Sequence, residues 1–375
     1  MVTVCALNQC TGCRLCIEAC PQKCIQMKDS LKSINAVIDT SQCVNCGLCH
    51  KQCQVENALE AKEPLFLMQG WATDDHIREH ASSGGFASAI EKAFVLQGGV
   101  VCSSTYENGD FVYKIADTTD RLRAFSGSKY VKSNMSSIYK DIKKLLISGK
   151  KVLFVGLPCH SAALQKYISK RHSERLYTID LICHGTPSKK MLEKFLEQYH
   201  LKLIEVSEIR FRNKERFFVS KGEKCVDMPG IMDAYSIAFM YALTYTDNCY
   251  QCQYAMLNRI SDLTLGDSWG SDMPEKDKKQ GVSLVLCQTE KGEELLQSAK
   301  LNLLPVEAKK AIANNAQLKH PSEQPKSRER FFNDIYRGIK FNKAVFCAMP
   351  KQFMKQKIKG YLIRIGIKEY PEDTE

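Results

Sequence analysis

Apolar runs that end in a tight corner and reopen as helical spacing dominate the middle of the chain. In KVLFVGLPCHSAALQKYI the run at 152–157 reads as a strand and the segment near 160–170 as a helix. LYTIDLI at 176–182, followed by a helical pattern near 188–199, repeats the unit. A β-α-β-α series with two parallel neighbouring strands is expected. Cys159 and Cys183 then leave the same edge of one sheet, the carboxyl-end edge where open α/β sheets place ligands. Upstream, HASSGGFASAIEKAFVLQGGVVCSSTY opens a helix over about 86–97 from a Ser-Gly-Gly loop, stops it at a glycine pair and continues as a strand. The stretch from IRFRNKERFF through ISDLTLGDSWG to VSLVLCQTEKGEELLQ reads as mixed α/β, with no solenoid period and no low-complexity tract.

The first 58 residues follow cysteine spacing instead, and ENALEAKEPLF, with Pro64, reads as the connector after them. Of 18 cysteines, ten lie within the first 53 residues, which is not the even spread of a secreted disulfide framework. Clustered cysteines in a reducing compartment point to metal. No apolar run approaches the roughly 18–20 residues that span a bilayer, and MVTVCALNQC offers neither the basic nor the apolar region of a leader. A cytoplasmic protein is expected. At 375 residues it can bury a sizeable core. Its net charge of +11 is concentrated between Lys309 and Lys368, where 15 Lys and Arg face only Glu323, Glu329 and Asp334. The remainder is near neutral, so nucleic acid is not an expected partner.

CTGCRLCIEACP sets Cys10, Cys13, Cys16 and Cys20 in the C-x2-C-x2-C-x3-C-P pattern, and CVNCGLCHKQC repeats the spacing at Cys43, Cys46, Cys49 and Cys53. A tight C-x2-C-x2-C loop can wrap three corners of an iron–sulfur cube, and in two-cluster ferredoxins the fourth cysteine ligates the other cluster. One cluster is therefore expected on Cys10, Cys13, Cys16 and Cys53, and a second on Cys43, Cys46, Cys49 and Cys20. Two zinc ribbons would need paired knuckles rather than triplets. Gln54 stands where the second run would carry proline. Cys5 and Cys24 lie outside the pattern and read as small buried residues.

Four further cysteines stand at Cys159, Cys183 and the C-x2-C pair Cys249 and Cys252. They suit a third cluster, a zinc site or scattered core positions; a nucleophilic Cys159 is poorly supported by its neighbour His160. Taken with SSGGF, SGSKYVKSN, LFVGLPC, DLICHGTPS, RFRNKER and SDLTLGDSWG, they make the chain resemble the coenzyme F420 hydrogenase/dehydrogenase beta-subunit family over roughly residues 1–290.

The resemblance implies an α+β ferredoxin-like N-terminal module followed by a mixed α/β domain that binds flavin and iron–sulfur. It divides the chain into a two-cluster 4Fe-4S domain at 1–58, a flavin-binding part at 65–145 and a part carrying a third 4Fe-4S site at 146–305; charge and spacing add a basic helical tail at 306–375. It places the third cluster on Cys159, Cys183, Cys249 and Cys252, and FAD near Ser83, Gly84 and Gly85 with Lys129, Tyr130 and Ser133. The glycines let backbone approach a phosphate, and the helix that follows offers its positive end. No G-x-G-x-x-G fingerprint supports NAD. His184 is a candidate proton donor beside the flavin, against the plainer reading of a structural histidine, and Asp267 is equally ambiguous.

The implied function is an iron–sulfur flavoprotein oxidoreductase passing electrons between ferredoxin-type clusters and a substrate or deazaflavin-like coenzyme. The alternative is an electron-transfer subunit serving a partner enzyme. Partners are a redox protein or a small-molecule acceptor. The tail, FMKQKIKGYLIRIGI, reads as a solvated helix over the core or as a contact for an acidic partner or the inner membrane face.

Overall fold

The computed structural model describes residues 1–214 and 216–368. Between the two cysteine runs, strands β1 (Ile25–Asp29) and β2 (Ile34–Ile38) pair antiparallel. Each run closes in a five-residue helix, Leu15–Ala19 or Leu48–Gln52, entered through a left-handed residue. That residue is Gly47 in the second run and Arg14 in the first, where a Cβ makes the conformation costlier.

The strands that follow are β3 (Phe66–Ala72), β4 (Val100–Glu107), β5 (Asp110–Ala116), β6 (Val152–Val155), β7 (Leu176–Leu181), β8 (Ile209–Asn213), β9 (Arg216–Lys221), β10 (Lys224–Cys225), β11 (Leu263–Asp267), β12 (Ser283–Cys287) and β13 (Leu301–Pro305). Eight form one mixed sheet in the order β13-β3-β12-β11-β7-β6-β4-β5, while β8, β9 and β10 form a separate small sheet. β4, β6, β7 and β11 are the parallel centre, flanked by antiparallel partners. All of β6 is buried, as expected for a parallel strand covered on both faces.

Pro158 occupies the first turn of the helix Pro158–Tyr167, where its missing N–H costs nothing. The β6–helix–β7 unit therefore follows the pattern read from the chain, and Cys159 and Cys183 both follow the carboxyl ends of these strands. Phe86, Ile90 and Phe94 of the helix Phe86–Leu96 cluster with Leu153, Ile179 and Val285 from the sheet.

Part of the expected tail is core. Phe331, Phe332, Phe341 and Val345 pack with Phe195, Phe211 and Tyr235 in one buried cluster. The apolar residues of the last helix, Pro350–Arg364, divide: Ile363 is buried and Phe353 packs on that cluster, while Met354 and Ile358 are exposed. The expected tail also reaches into 369–375, outside the described residues. Among the described residues no helix is long and apolar enough to cross a membrane.

Candidate metal centres

In the N-terminal module the thiols fall into two groups. Cys16 lies chiefly in the field of Cys13, Cys10 and Cys53, with Cys49 of the other group a weaker neighbour, and Cys49 in that of Cys20 and Cys43. Each extra cysteine contacts a pair within one group. Cys5 lies beside Cys10 and Cys53, which push its own thiol up, and Cys24 lies 3.5 Å from Cys20 and also meets Cys43. Cys10, Cys13 and Cys16 are buried, whereas Cys46 is exposed and Cys43 and Cys49 are half-buried. Burial, with Cys10 and Cys53 nearby, pushes the Cys13 thiol up to about 12.

Cys159, Cys183, Cys249 and Cys252 line one cavity of about 210 Å³. Cys159 enters from the first turn of the helix after β6, and Cys183 from the loop after β7. Gly185 in that loop needs to be glycine, since its φ is +133° and a Cβ would lie 2.3 Å from the Tyr245 ring. The close approach lets Thr246 N–H donate to the Thr186 carbonyl and brings the Cys249 thiol beside Thr186. The loop bearing Cys249 and Cys252 is held from the C-terminal region by Arg328. This fully buried guanidinium reaches Asp247 at 2.8 Å and the Tyr245 carbonyl at 2.8 Å, and stacks on Tyr250.

Burial pushes the Cys159 thiol up, and takes Cys183 to about 12 and Cys252 to about 11. An activated nucleophile needs the opposite shift. His160 does not serve as a base for Cys159 either: it is buried, its Nδ1 meets the Tyr113 hydroxyl at 3.0 Å, and burial lowers its pKa to about 3. Such buried thiols keep their protons until a metal group supplies the positive charge that removes them. Among the described residues no three His, Cys, Asp or Glu side chains close on the position of a single metal ion. A cubane is gripped at its corners, so an all-sulfur set spread around a cavity fits it.

The same cavity contains a residue that spacing did not single out. Lys132 is 8% exposed and lines it, with Nζ donating to Thr246 Oγ1 at 2.9 Å and Asn248 Oδ1 at 3.3 Å. It lies in SGSKYVKSN, but only the tertiary structure turns it toward the thiols. Gln54, noted in the sequence only as a departure from proline, acts beside the cavity. It is 0% exposed, donates to Thr11 at 2.8 Å and accepts from Gln253 at 3.0 Å and from the Tyr254 hydroxyl. Its amide thus ties the residue after Cys10 to the residues after Cys252, which proline could not do.

The segment carrying Ser83, Gly84 and Gly85 meets the one that leads into Lys129 and Tyr130 and also meets the RFRNKER motif. Ser82 Oγ accepts from Ser128 N–H, Lys214 donates to the carbonyls of Arg78 and Ser83, and Arg212 pairs with Asp267 at 2.8 Å. Burial, then Arg78 and Arg212, lower Lys214 to about 8. Gly85 caps the helix Phe86–Leu96 with φ of +85° and no side-chain cap, leaving the first N–H groups available to an anion. Gly84 answers to packing, because a Cβ there would lie 2.5 Å from the Gly70 carbonyl oxygen.

The named polar side chains are taken up by protein. Lys129 Nζ donates to the carbonyls of Phe125 and Ser126, Ser133 Oγ meets Ser104 Oγ at 2.6 Å, and Ser83 Oγ donates to Val282. The Tyr130 ring stacks on Phe239 at 4.1 Å. His184 lines the thiol cavity and burial lowers its pKa, which keeps it neutral.

Comparison with known proteins gives three consecutive family matches. Residues 9–57 match a 4Fe-4S dicluster domain, 67–140 the N-terminal part of the coenzyme F420 hydrogenase/dehydrogenase beta subunit, and 149–310 its C terminus. The coenzyme F420 hydrogenase subunit beta of Methanococcus voltae is 25% identical over 233 residues, 59% of this chain and 76% of that protein. An uncharacterized protein in the rpl9-rpl11 intergenic region of Porphyra purpurea is 33% identical over 65 residues, 16% of this chain and 87% of that protein. A chain of the F420-reducing NiFe hydrogenase complex from Methanosarcina barkeri superposes with a TM-score of 0.44 at 20% identity, covering 74% of this chain and 95% of that one. The N-terminal module is a 4Fe-4S electron-transfer domain.

Proposed function

Since the chain belongs to the coenzyme F420 hydrogenase/dehydrogenase beta-subunit family and carries an iron–sulfur domain built for electron transfer, we propose that it is an iron–sulfur flavoprotein oxidoreductase that passes electrons between its clusters and a substrate or deazaflavin-like coenzyme. When bound, the clusters supply one-electron steps and FAD a two-electron step. Cys10, Cys13, Cys16 and Cys53 hold one N-terminal cluster, and Cys43, Cys46, Cys49 and Cys20 the other. Cys159, Cys183, Cys249 and Cys252 hold a third. Gln54 and the Gln9–Gln251 contact at 2.8 Å fasten the first cysteine run against that third site. The helix start at Gly85, in the positive field of Arg78, Arg212 and Lys214, receives the flavin phosphates. His184, between the thiol cavity and the Arg212–Asp267 pair, orients the substrate.

One observation carries this reading: four thiols from three separate segments line one cavity together with a buried lysine. Iron and flavin analysis of anaerobically purified protein tests it. About twelve irons per chain are expected, at four per cluster, with one flavin; about eight irons would remove the third cluster.

The capture of Lys129, Ser133 and Ser83 by protein partners favours a second reading, in which the chain relays electrons to a partner enzyme without a substrate of its own. Protein that neither releases flavin on denaturation nor binds added FAD would decide for it.

A further inference from the structure

Lys132 is buried, yet among the described residues it forms no ion pair; its recorded partners are the neutral oxygens of Thr246 and Asn248. A buried ammonium without a carboxylate is costly unless another negative group compensates it. Arg259, the other cation lining the cavity, reaches the carbonyls of Leu181 and Gln317 and lies in the field of the Asp180 carboxyl. Lys132 therefore stands apart as the uncompensated charge at the thiol cavity.

Its position is also specific in the other direction. A Cβ built on Gly12 would lie 3.1 Å from Lys132 Cδ, so the lysine stem crosses the Cys10–Cys13 loop before its head enters the cavity of Cys159, Cys183, Cys249 and Cys252. The loop is shaped to admit it, since Gly12 has φ of +74° and a side chain there would be strained. One side chain thus lies between the first N-terminal cluster site and the third.

We infer that Lys132 is a charge-compensating residue that sets the reduction potentials of the third cluster and the adjacent N-terminal cluster, easing electron passage between them. A cubane held by four thiolates becomes more negative on reduction, and a fixed cation beside it favours the reduced form. The third cluster, at the ammonium, feels it most. The cluster on Cys10 feels it less, and the one centred on Cys43, Cys46 and Cys49 least. The inference rests on the third-cluster reading.

The test is an anaerobic redox titration, followed by electron paramagnetic resonance, of wild type, Lys132→Met and Lys132→Arg, with iron counted in each. Lys132→Met is expected to keep about twelve irons at four per cluster, and to bind the reducing electron at the third site about tenfold more weakly, equal to about 59 mV for one electron. A smaller shift of the same sign is expected at one N-terminal cluster and none at the other, with Lys132→Arg close to wild type. Should Lys132→Met lose the third cluster, Asn248→Asp leaves the lysine in place, puts a carboxylate beside it, and should lower the same potential. Full iron with unchanged potentials in Lys132→Met overturns the inference while leaving the third cluster standing. About eight irons in wild type overturns both.

Discussion

Cys10, Cys13 and Cys16 are buried, whereas Cys46 in the second run is exposed, with Val44 at 60% and Leu48 at 40% exposure beside it. The two runs share one spacing and one local fold, so spacing fixes the corner that wraps a cluster and says nothing of its surroundings. Those come from what packs on top. The Tyr139 hydroxyl donates to the Cys13 carbonyl at 2.7 Å, Lys132 crosses Gly12, and Gln54 and Gln251 join the first run to the third-site loop. Solvent exposure and local hydrogen bonds tune cluster potentials. On the proposed reading, a cluster centred on the second run is the one an outside redox partner reaches, and one on the first run faces the third site.

The largest effect expected comes from removing a ligand on the interior side. Cys159→Ala should take iron from about twelve to about eight per chain with both N-terminal clusters retained; full iron would sink the assignment. Next is the clamp beneath Cys249. Arg328→Ala leaves Asp247 facing a buried gap, and should cost about 3–5 kcal/mol in a denaturant titration while loosening iron at the third site only. Gln54→Ala strands the partners on both sides of the joint, so a loss of about 1–3 kcal/mol is expected, with slower reduction of the third site from the N-terminal clusters. An unchanged rate would mean the joint does not matter to transfer.

The last effect is one of pH. Burial raises Glu91 to about 7 from its ordinary 4.5. A carboxyl whose folded value is raised binds more protons folded than unfolded, so its contribution is fully present below about pH 4.5 and lost as pH rises through about 7. Glu91→Gln should flatten that fall in stability between the two values, and a slope identical to wild type would count against it.

The parallel centre was legible because β6 and β7 are short apolar runs, each tied to a nearby helix. The antiparallel flank was not: β3 pairs with β12 and β13 across more than two hundred residues, Phe66 with Cys287 and Ala72 with Leu301. At the sites, the N-terminal ligand spacing and the Cys249–Cys252 pair could be read locally. Lys132 is one unmarked residue of SGSKYVKSN, Gln54 only a departure from proline, and Arg328 only part of the charge between Lys309 and Lys368. Each acquires its role only through a contact with a distant segment, which periodicity and spacing do not encode.

The central claim is that the second run faces outward while the first run and the third site lie inside. The direct test adds a water-soluble paramagnetic complex to partly reduced protein and follows the relaxation of each cluster signal. One signal should relax strongly, and it should be the one lost in Cys46→Ala; the other two should stay nearly unaffected. Equal relaxation of two or more signals, or a relaxing signal that survives in Cys46→Ala, would contradict the account.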